Sequence, residues 1–478
     1  GTQSIAEVRV ESTQDYSNGA TLEVYLAPRI SSDRQVDNQV VVADRFGFKY
    51  YQPGQYELAI GDLSGDFTPY TLNQSFLGLM GWRNLAAGRA GNLRLTTVVG
   101  PRWQPGAGFK FDGWVSGVRL AAESLSAFPG VVEDGVLGLS VVRSERGSKA
   151  RGTRETGLVV AVDAGARLRN GVGLMAEYAR SRGSKAGAKP HGEAYLLRAT
   201  YRVGPLRFIA DRERVGAGFT TLSGSAVTNQ QRTSLWLRYR PNEWLSANVN
   251  FMRTEELDRG RPYRTTMTVP RFGVSVSPFY PMLQHGFLRN LTIDALLRYS
   301  NRESDDTPRT IDREYRTLTL ALVQRMGDFY LTASRDNDRD LDALPSGVSR
   351  RGHGTEVSLR WRPEFPISPI VGIRRSRDSY WGGPRGPISS KVTSRRFGVD
   401  IGAPGGIAVE LGYELLDNNR TDLGGYDRRV LNLDLTRALD GEGARRVGVT
   451  YRLFSNRQQD GTRSYREGQL TGSISQEF

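Results

Sequence analysis

The sequence predicts an all-β protein, a single closed antiparallel barrel of 24–26 strands occupying residues 1–478 as one domain. Three observations predict it. Apolar residues recur at every second position through most of the chain, the period of a strand with one greasy and one polar face. Tight turns rich in Gly, Pro, Asn and Asp recur every 34 to 43 residues from about position 170 to the end. Between successive turns lies one longer polar stretch, so each period is a hairpin of two strands of about 12 residues. No segment has the 3.6-residue periodicity of an amphipathic helix, and none reaches the ~20 apolar residues of a spanning helix.

The elements follow in order. Residues 1–130 read as seven or eight strands, with candidates at 4–12, 21–29, 39–52, 56–67, 72–85, 91–103 and 110–123. Within them GDLSGDFTPYTLNQ (61–74) is rich in Gly, Asp and Pro, and reads as a turn or an inward fold rather than as ladder. Residues 131–478 read as nine regular hairpins. GLVVAVDAGARLR (157–169) sets Leu158, Val160 and Val162 against Asp163, Arg167 and Arg169. YLLRATYRV (195–203), TLTLALVQR (317–325), IAVELGYEL (407–415), LNLDLTR (431–437) and VGVTYRLF (447–454) repeat the pattern. The short turns fall at LRNG (168–171), RVGP (202–205), RPNEW (240–244), PMLQHG (281–286), RMGD (325–328), RPEFP (362–366), GAPGG (402–406) and LDGEGA (439–444). The polar stretches include 181–192, 218–231, 303–313, 336–352 and 455–467. An even strand number is expected, with both ends of the chain on the side of the short turns. No leader precedes Gly1, which reads as a cytosolic or an already processed chain.

Composition excludes several chemistries. Cysteine is absent, which removes thiol nucleophiles, iron–sulfur clusters and Cys-zinc sites. The three histidines are scattered without metal-ligand spacing. No nucleophile elbow, phosphate-binding loop or dinucleotide fingerprint occurs, and no enzyme or cofactor is expected. The net charge is +14, which points to an anionic partner or a solvated basic surface. Aromatic residues do not cluster with Lys and Arg as in nucleic-acid modules, so no nucleic-acid partner is expected.

The leucine- and tyrosine-rich faces have no second apolar sheet to pack against. In a bilayer only helices and closed sheets satisfy their backbones, so hydrocarbon is expected to cover these faces while the charged faces line an aqueous interior. Tyr239, Trp244, Phe329, Tyr330, Trp361 and Phe365 flank short turns, where interfacial aromatic girdles belong.

The last stretch, LTGSISQEF (470–478), places Leu470, Ile474 and Phe478 on one face and ends on an aromatic. It resembles the closing strand of bacterial outer-membrane β-barrel proteins, with Gln476 where that pattern has an apolar residue. The size is similar to that of porin–cytochrome conduit porins and large export barrels. The resemblance implies a bacterial outer-membrane location, outer-membrane lipid and the barrel-assembly machinery as partners, and Phe478 as part of the assembly signal.

The candidate lumen-lining bases are Arg167, Arg169, Arg198, Arg202, Arg207, Arg238, Arg240, Arg360, Arg362 and Arg452. Asp163, Asp211, Glu356, Glu410, Glu414 and Asp434 share their face. Two roles are open: cross-strand ion pairs that stiffen the wall, and a basic path for an anionic passenger. DNDRDLD (336–342) brings Asp336, Asp338 and Asp340 together, a weak metal candidate that reads better as a solvated outer loop. A barrel this wide leaks unless something fills it. The expected function is therefore a conduit or sheath whose bore holds a partner protein, a plug, exported cargo or a long inserted loop. The competing expectations are a self-sufficient anion-favouring porin and a soluble basic β-rich binding protein.

Overall fold

The structure is a computed structural model. It describes residues 3–476 apart from 9, 32–40, 89–90, 103–112, 126–129, 149–152, 185–187, 258–262, 345–346, 365, 383–385, 404–406, 422–424, 439–444 and 459–463. Phe365 and Phe478 thus lie outside the described residues.

Twenty-six strand segments and one short 3-10 turn, Phe287–Asn290, account for nearly all described residues. The first nine are β1 (Gln3–Val8), β2 (Val10–Asp15), β3 (Thr21–Ser31), β4 (Val41–Gln52), β5 (Tyr56–Asp66), β6 (Asn73–Gly88), β7 (Gly91–Pro101), β8 (Gly113–Glu123) and β9 (Val132–Ser148). Then come β10 (Thr153–Leu168), β11 (Val172–Ser184), β12 (His191–Val203), β13 (Leu206–Val215), β14 (Gln230–Tyr239), β15 (Leu245–Glu256), β16 (Thr265–Val276) and β17 (Leu291–Ser304). The rest are β18 (Asp312–Met326), β19 (Phe329–Asp342), β20 (Ser349–Trp361), β21 (Ile367–Trp381), β22 (Ile388–Ala403), β23 (Ile407–Arg420), β24 (Tyr426–Ala438), β25 (Arg445–Gln458) and β26 (Ser464–Gln476).

All segments belong to one sheet, and from β2 to β26 each pairs antiparallel with the next. β1 and β2 both pair with β3, and Glu7↔Arg29 and Val10↔Leu26 lie in one register. They continue one strand on either side of position 9, which lies outside the described residues, so the sheet is 25 strands wide. On its other side β1 pairs with β26 in parallel, from Gln3↔Gln469 to Val8↔Ile474. The width lies inside the expected range, but the expected even number and uniformly antiparallel pairing are corrected. An odd number of alternating strands leaves the first and last pointing the same way.

The connections alternate between two rims. One rim carries the tight turns expected from the sequence, such as 169–171, 204–205 and 327–328. Gly171, Gly204 and Gly327 there adopt positive φ, which a side chain disfavours. The connection at 277–290 is longer than the expected turn and contains the 3-10 turn. At the opposite rim several connections are shorter than the polar stretches suggested, although 216–229 keeps its full length. Residues 336–342 belong to β19 and only 343–348 link it to β20, which corrects the outer-loop reading of DNDRDLD. The alternation continues there with charges instead of leucines, and composition alone disguised strand as loop.

The two faces differ sharply. One presents large apolar side chains to the exterior: Val160 and Val162 on β10, Leu318, Leu320 and Leu322 on β18, Leu433 and Leu435 on β24. Water-soluble proteins seldom leave a contiguous apolar face of this kind bare. Phe329 and Trp361 stack at 5.8 Å on this face beside a short turn, at the level of an interfacial girdle. Tyr330 lies on the opposite face, between the guanidinium groups of Arg325 and Arg362.

That opposite face is concave. The β5–β6 connection (67–72) and the β13–β14 connection (216–229) both fold over it. They meet although they spring from hairpins far apart in the sheet: the Asn73 amide donates to the Ser223 carbonyl at 2.8 Å. Only a sheet curled around them permits that contact. Residues 61–74 are accordingly strand to Asp66 and inward fold from 67 to 72.

Candidate functional site: the inner wall and its inward latch

The latch begins with local chemistry. FTPYTL (67–72) turns on itself, with the Thr71 amide donating to the Thr68 carbonyl at 3.2 Å and the two hydroxyls 2.8 Å apart. The Gly-, Ser- and Thr-rich 216–229 segment supplies the partner groups. Ser223 donates its hydroxyl to the Thr71 carbonyl at 2.7 Å, and the Ser225 amide donates to the Pro69 carbonyl at 2.9 Å. Tyr70 and Phe219, both fully buried, meet edge to face at 5.7 Å. Below them the wall is small and apolar. Val159, Ala161, Ala179, Ala194, Leu196 and Val215 form one cluster. Leu63, Phe67, Leu72, Phe76, Val98 and Val142 form a second. Roughly 25 cal/mol per Å² of apolar area taken from water holds the latch against the wall.

Charged groups sit under the latch. Arg119 on β8 reaches across β9 to Asp163 on β10, with Nη1 and Nη2 donating to its two oxygens at 2.6 and 2.8 Å. Nη1 also donates to Ser140 at 2.9 Å. The span is possible because Gly138 lies between: a Cβ there would meet Asp163 Oδ1 at 2.5 Å and Arg119 Nη2 at 2.6 Å. Glu177 is directly opposite Asp163 on β11, only 2% exposed, with Thr68 and the Tyr70 backbone beside it. Glu213 pairs with Arg232 at 2.8 Å. Burial, with Glu213 and Glu177 nearby, pushes the Tyr70 hydroxyl well above its usual range.

Beyond the latch the wall is ion-paired in its charged upper part. Arg313 grips Asp340 through two bonds at 2.8 and 2.6 Å. Arg350 lies 2.7 Å from Asp378 and 4.0 Å from Asp338, and Thr319 donates to Asp336 at 2.7 Å. The weak metal candidates are thus strand residues turned toward arginines and a hydroxyl. Among the described residues no group of three or more acids and histidines could hold a metal ion.

The candidate arginines divide into three groups. Arg198 and Arg360 are ion-paired, with Asp211 at 2.6 Å and with Asp400. Arg169, Arg240 and Arg362 lie in turns, at the rim rather than on the wall. Arg167, Arg202, Arg207, Arg238 and Arg452 are exposed on the inner face. Of these, Arg202, Arg207 and Arg238 stand directly opposite one another in one row across β12, β13 and β14. Like charges so placed repel, a cost that water or a passing anion relieves.

A second charged feature lies on β20 to β23. Glu356, Arg374, Arg396, Glu414 and the serines of β20 to β22 line a hollow of ≈ 280 Å³ on the inner face. Ser394 donates to Glu414 at 2.6 Å. Glu410 stands opposite Asp434 and adjoins Asp400 in the same row. Arg119, Glu177, Glu213, Arg232, Arg374 and Arg396 escaped the sequence reading. For Arg119 the available signal was its place among small residues in VSGVRLAAE, on the face opposite Val118 and Leu120.

The apolar belt, the inward charges and the alternating rims give the strands one greasy and one polar face. The chain is an all-β protein built on one large, almost wholly antiparallel sheet.

No family model matches the sequence, and no curated protein matches it. Solved structures similar to the barrel include OprD of Pseudomonas aeruginosa, at 13% identity over 72% of this chain and 96% of that one, TM-score 0.34. OccK5 (OpdH) of the same organism matches at 13% identity over 67% and 91%, TM-score 0.34. A loop-deletion mutant of OmpT from Vibrio cholerae matches at 10% over 57% and 89%, TM-score 0.32. Identity and superposition at this level transfer no function to the barrel.

Proposed function

We propose that the β1–β26 pairing closes the sheet into a transmembrane barrel that works as a wide, basic conduit for a large passenger, either a partner protein or an exported polymer. The short-turn rim faces the periplasm on this reading. With 25 strands about 4.8 Å apart and tilted about 40°, the backbone cylinder is about 50 Å across, leaving about 30 Å between side chains. The latch covers inner residues of β5 to β14, including both apolar clusters. Facing it, the inner residues of β15 to β26 carry exposed charge that no described part of the chain covers. That uncovered charged wall is the observation that carries the proposal. On this reading outer-membrane lipid and the barrel-assembly machinery are further partners, distinct from passenger or plug.

The latch favours a second reading, a self-sufficient porin that uses its own segments as the constriction. Planar-bilayer recording of the purified barrel separates the two. The conduit predicts very large conductance with weak anion preference. A small, well-defined conductance establishes the porin instead and sinks the conduit.

A further inference from the structure

The net charge of +14 is not confined to the bore. β9, β10 and β22 run 17, 16 and 16 residues, whereas a tilted strand crosses the bilayer in about 9–11. The surplus projects past the apolar belt, and its outward face turns cationic within one side-chain step. On β11 the outward sequence is Tyr178, Arg180, Arg182; on β21 it is Ile373, Arg375, Arg377. All six are exposed, toward the rim opposite the tight turns.

Between β10 and β12 this border opens into a hollow of ≈ 720 Å³. Leu158 and Val160 line its apolar side, and Arg180, Arg182, Lys189 and His191 line its polar side. Glu193 bonds Arg180 at 3.2 Å, leaving Arg182 and Lys189 without an acidic partner among the described residues. Hydrocarbon already covers the outward leucines and valines, so whatever meets these cations must be continuous with hydrocarbon. A nucleic acid or an acidic protein does not satisfy that condition, and an amphiphile does.

We propose that this hollow is a binding site for a phosphate-bearing lipid of the surrounding leaflet. Its acyl chains lie along Leu158 and Val160, and its phosphates meet Arg182 and Lys189. The proposal rests on the membrane-spanning part of the proposed function and not on the conduit, and bilayer conductance does not bear on it.

Native mass spectrometry of the full chain in detergent tests it. The probes are the bisphosphorylated glucosamine-disaccharide lipid of outer membranes and its fully dephosphorylated counterpart, with inorganic phosphate as competitor. The wild-type barrel is expected to retain the phosphorylated lipid at least about tenfold better, with no displacement by millimolar phosphate. A membrane-surface cation is worth about fivefold, so Arg182→Ala with Lys189→Ala lowers retention about 25-fold. Arg374→Ala with Arg396→Ala removes the same charge from the inner wall and leaves retention unchanged. Equal retention of the two lipids by the wild type overturns the site whether or not any variant folds. Displacement by inorganic phosphate, or equal loss in the inner-wall variant, overturns it as well.

Discussion

Arg119, Asp163 and Gly138 form the smallest unit on which the wall depends. The pair is largely buried, with side-chain exposures of 15% and 6%. Truncating Arg119→Ala strands a carboxylate beside Glu177 and is expected to cost about 3–5 kcal/mol. The check is the urea midpoint followed by heat-modifiable gel mobility. Gly138→Ala is expected to produce a similar though smaller loss, about 1–3 kcal/mol, because its methyl group occupies the path of the guanidinium. Asp306, in the 305–311 connection, behaves differently. The hydroxyls of Ser304 and Thr310 hold its carboxyl at about 2, below the usual carboxylate range. A depressed folded pKa contributes order that is complete above about pH 4 and is lost as pH falls toward 2. Protease cleavage at 305–311 is therefore expected to rise over that window in the native protein and to lose its pH dependence in Asp306→Asn.

Among the elements, the strands were legible from the sequence and the latch was not. Alternation at 157–169 or 317–325 is local and survives any tertiary context, because each strand presents one apolar and one polar face. Strand ends were less legible. Asp336–Asp342 keeps the period but exchanges leucine for charge once the strand leaves the belt, and composition then mimics a loop. The latch depends on segments 152 residues apart, such as Thr71 and Ser223, whose pairing no local pattern encodes. Its apolar wall residues, Val159 and Ala161 among them, sit where the alternation promised polar ones. Phe219→Ala should loosen the latch by about 3 kcal/mol. Amide exchange at Asn73 and Ser225 is then expected to accelerate about 100-fold, while amides within β18 and β19 keep their protection. Equal acceleration in those strands would instead indicate that the whole barrel has loosened.

At the scale of the molecule, charge is arranged in zones. Buried pairs lie under the latch, paired charges line the upper wall, and an unrelieved row crosses β12 to β14. Replacing Arg202, Arg207 and Arg238 together by alanine is expected to reduce anion preference, read as a reversal potential in a salt gradient that moves toward zero. The sequence reading found these three because they alternate with apolar partners. It could not separate them from Arg169, Arg240 and Arg362, which flank short turns of the same rim but have already left the ladder.

The seam between β1 and β26 bears on how such a molecule could be rewired. Gln3 lies beside Gln469, so Gln476 sits about 23 Å further along the wall. A circular permutant could not splice these positions with a tight bend, because the linker would have to travel back over that height.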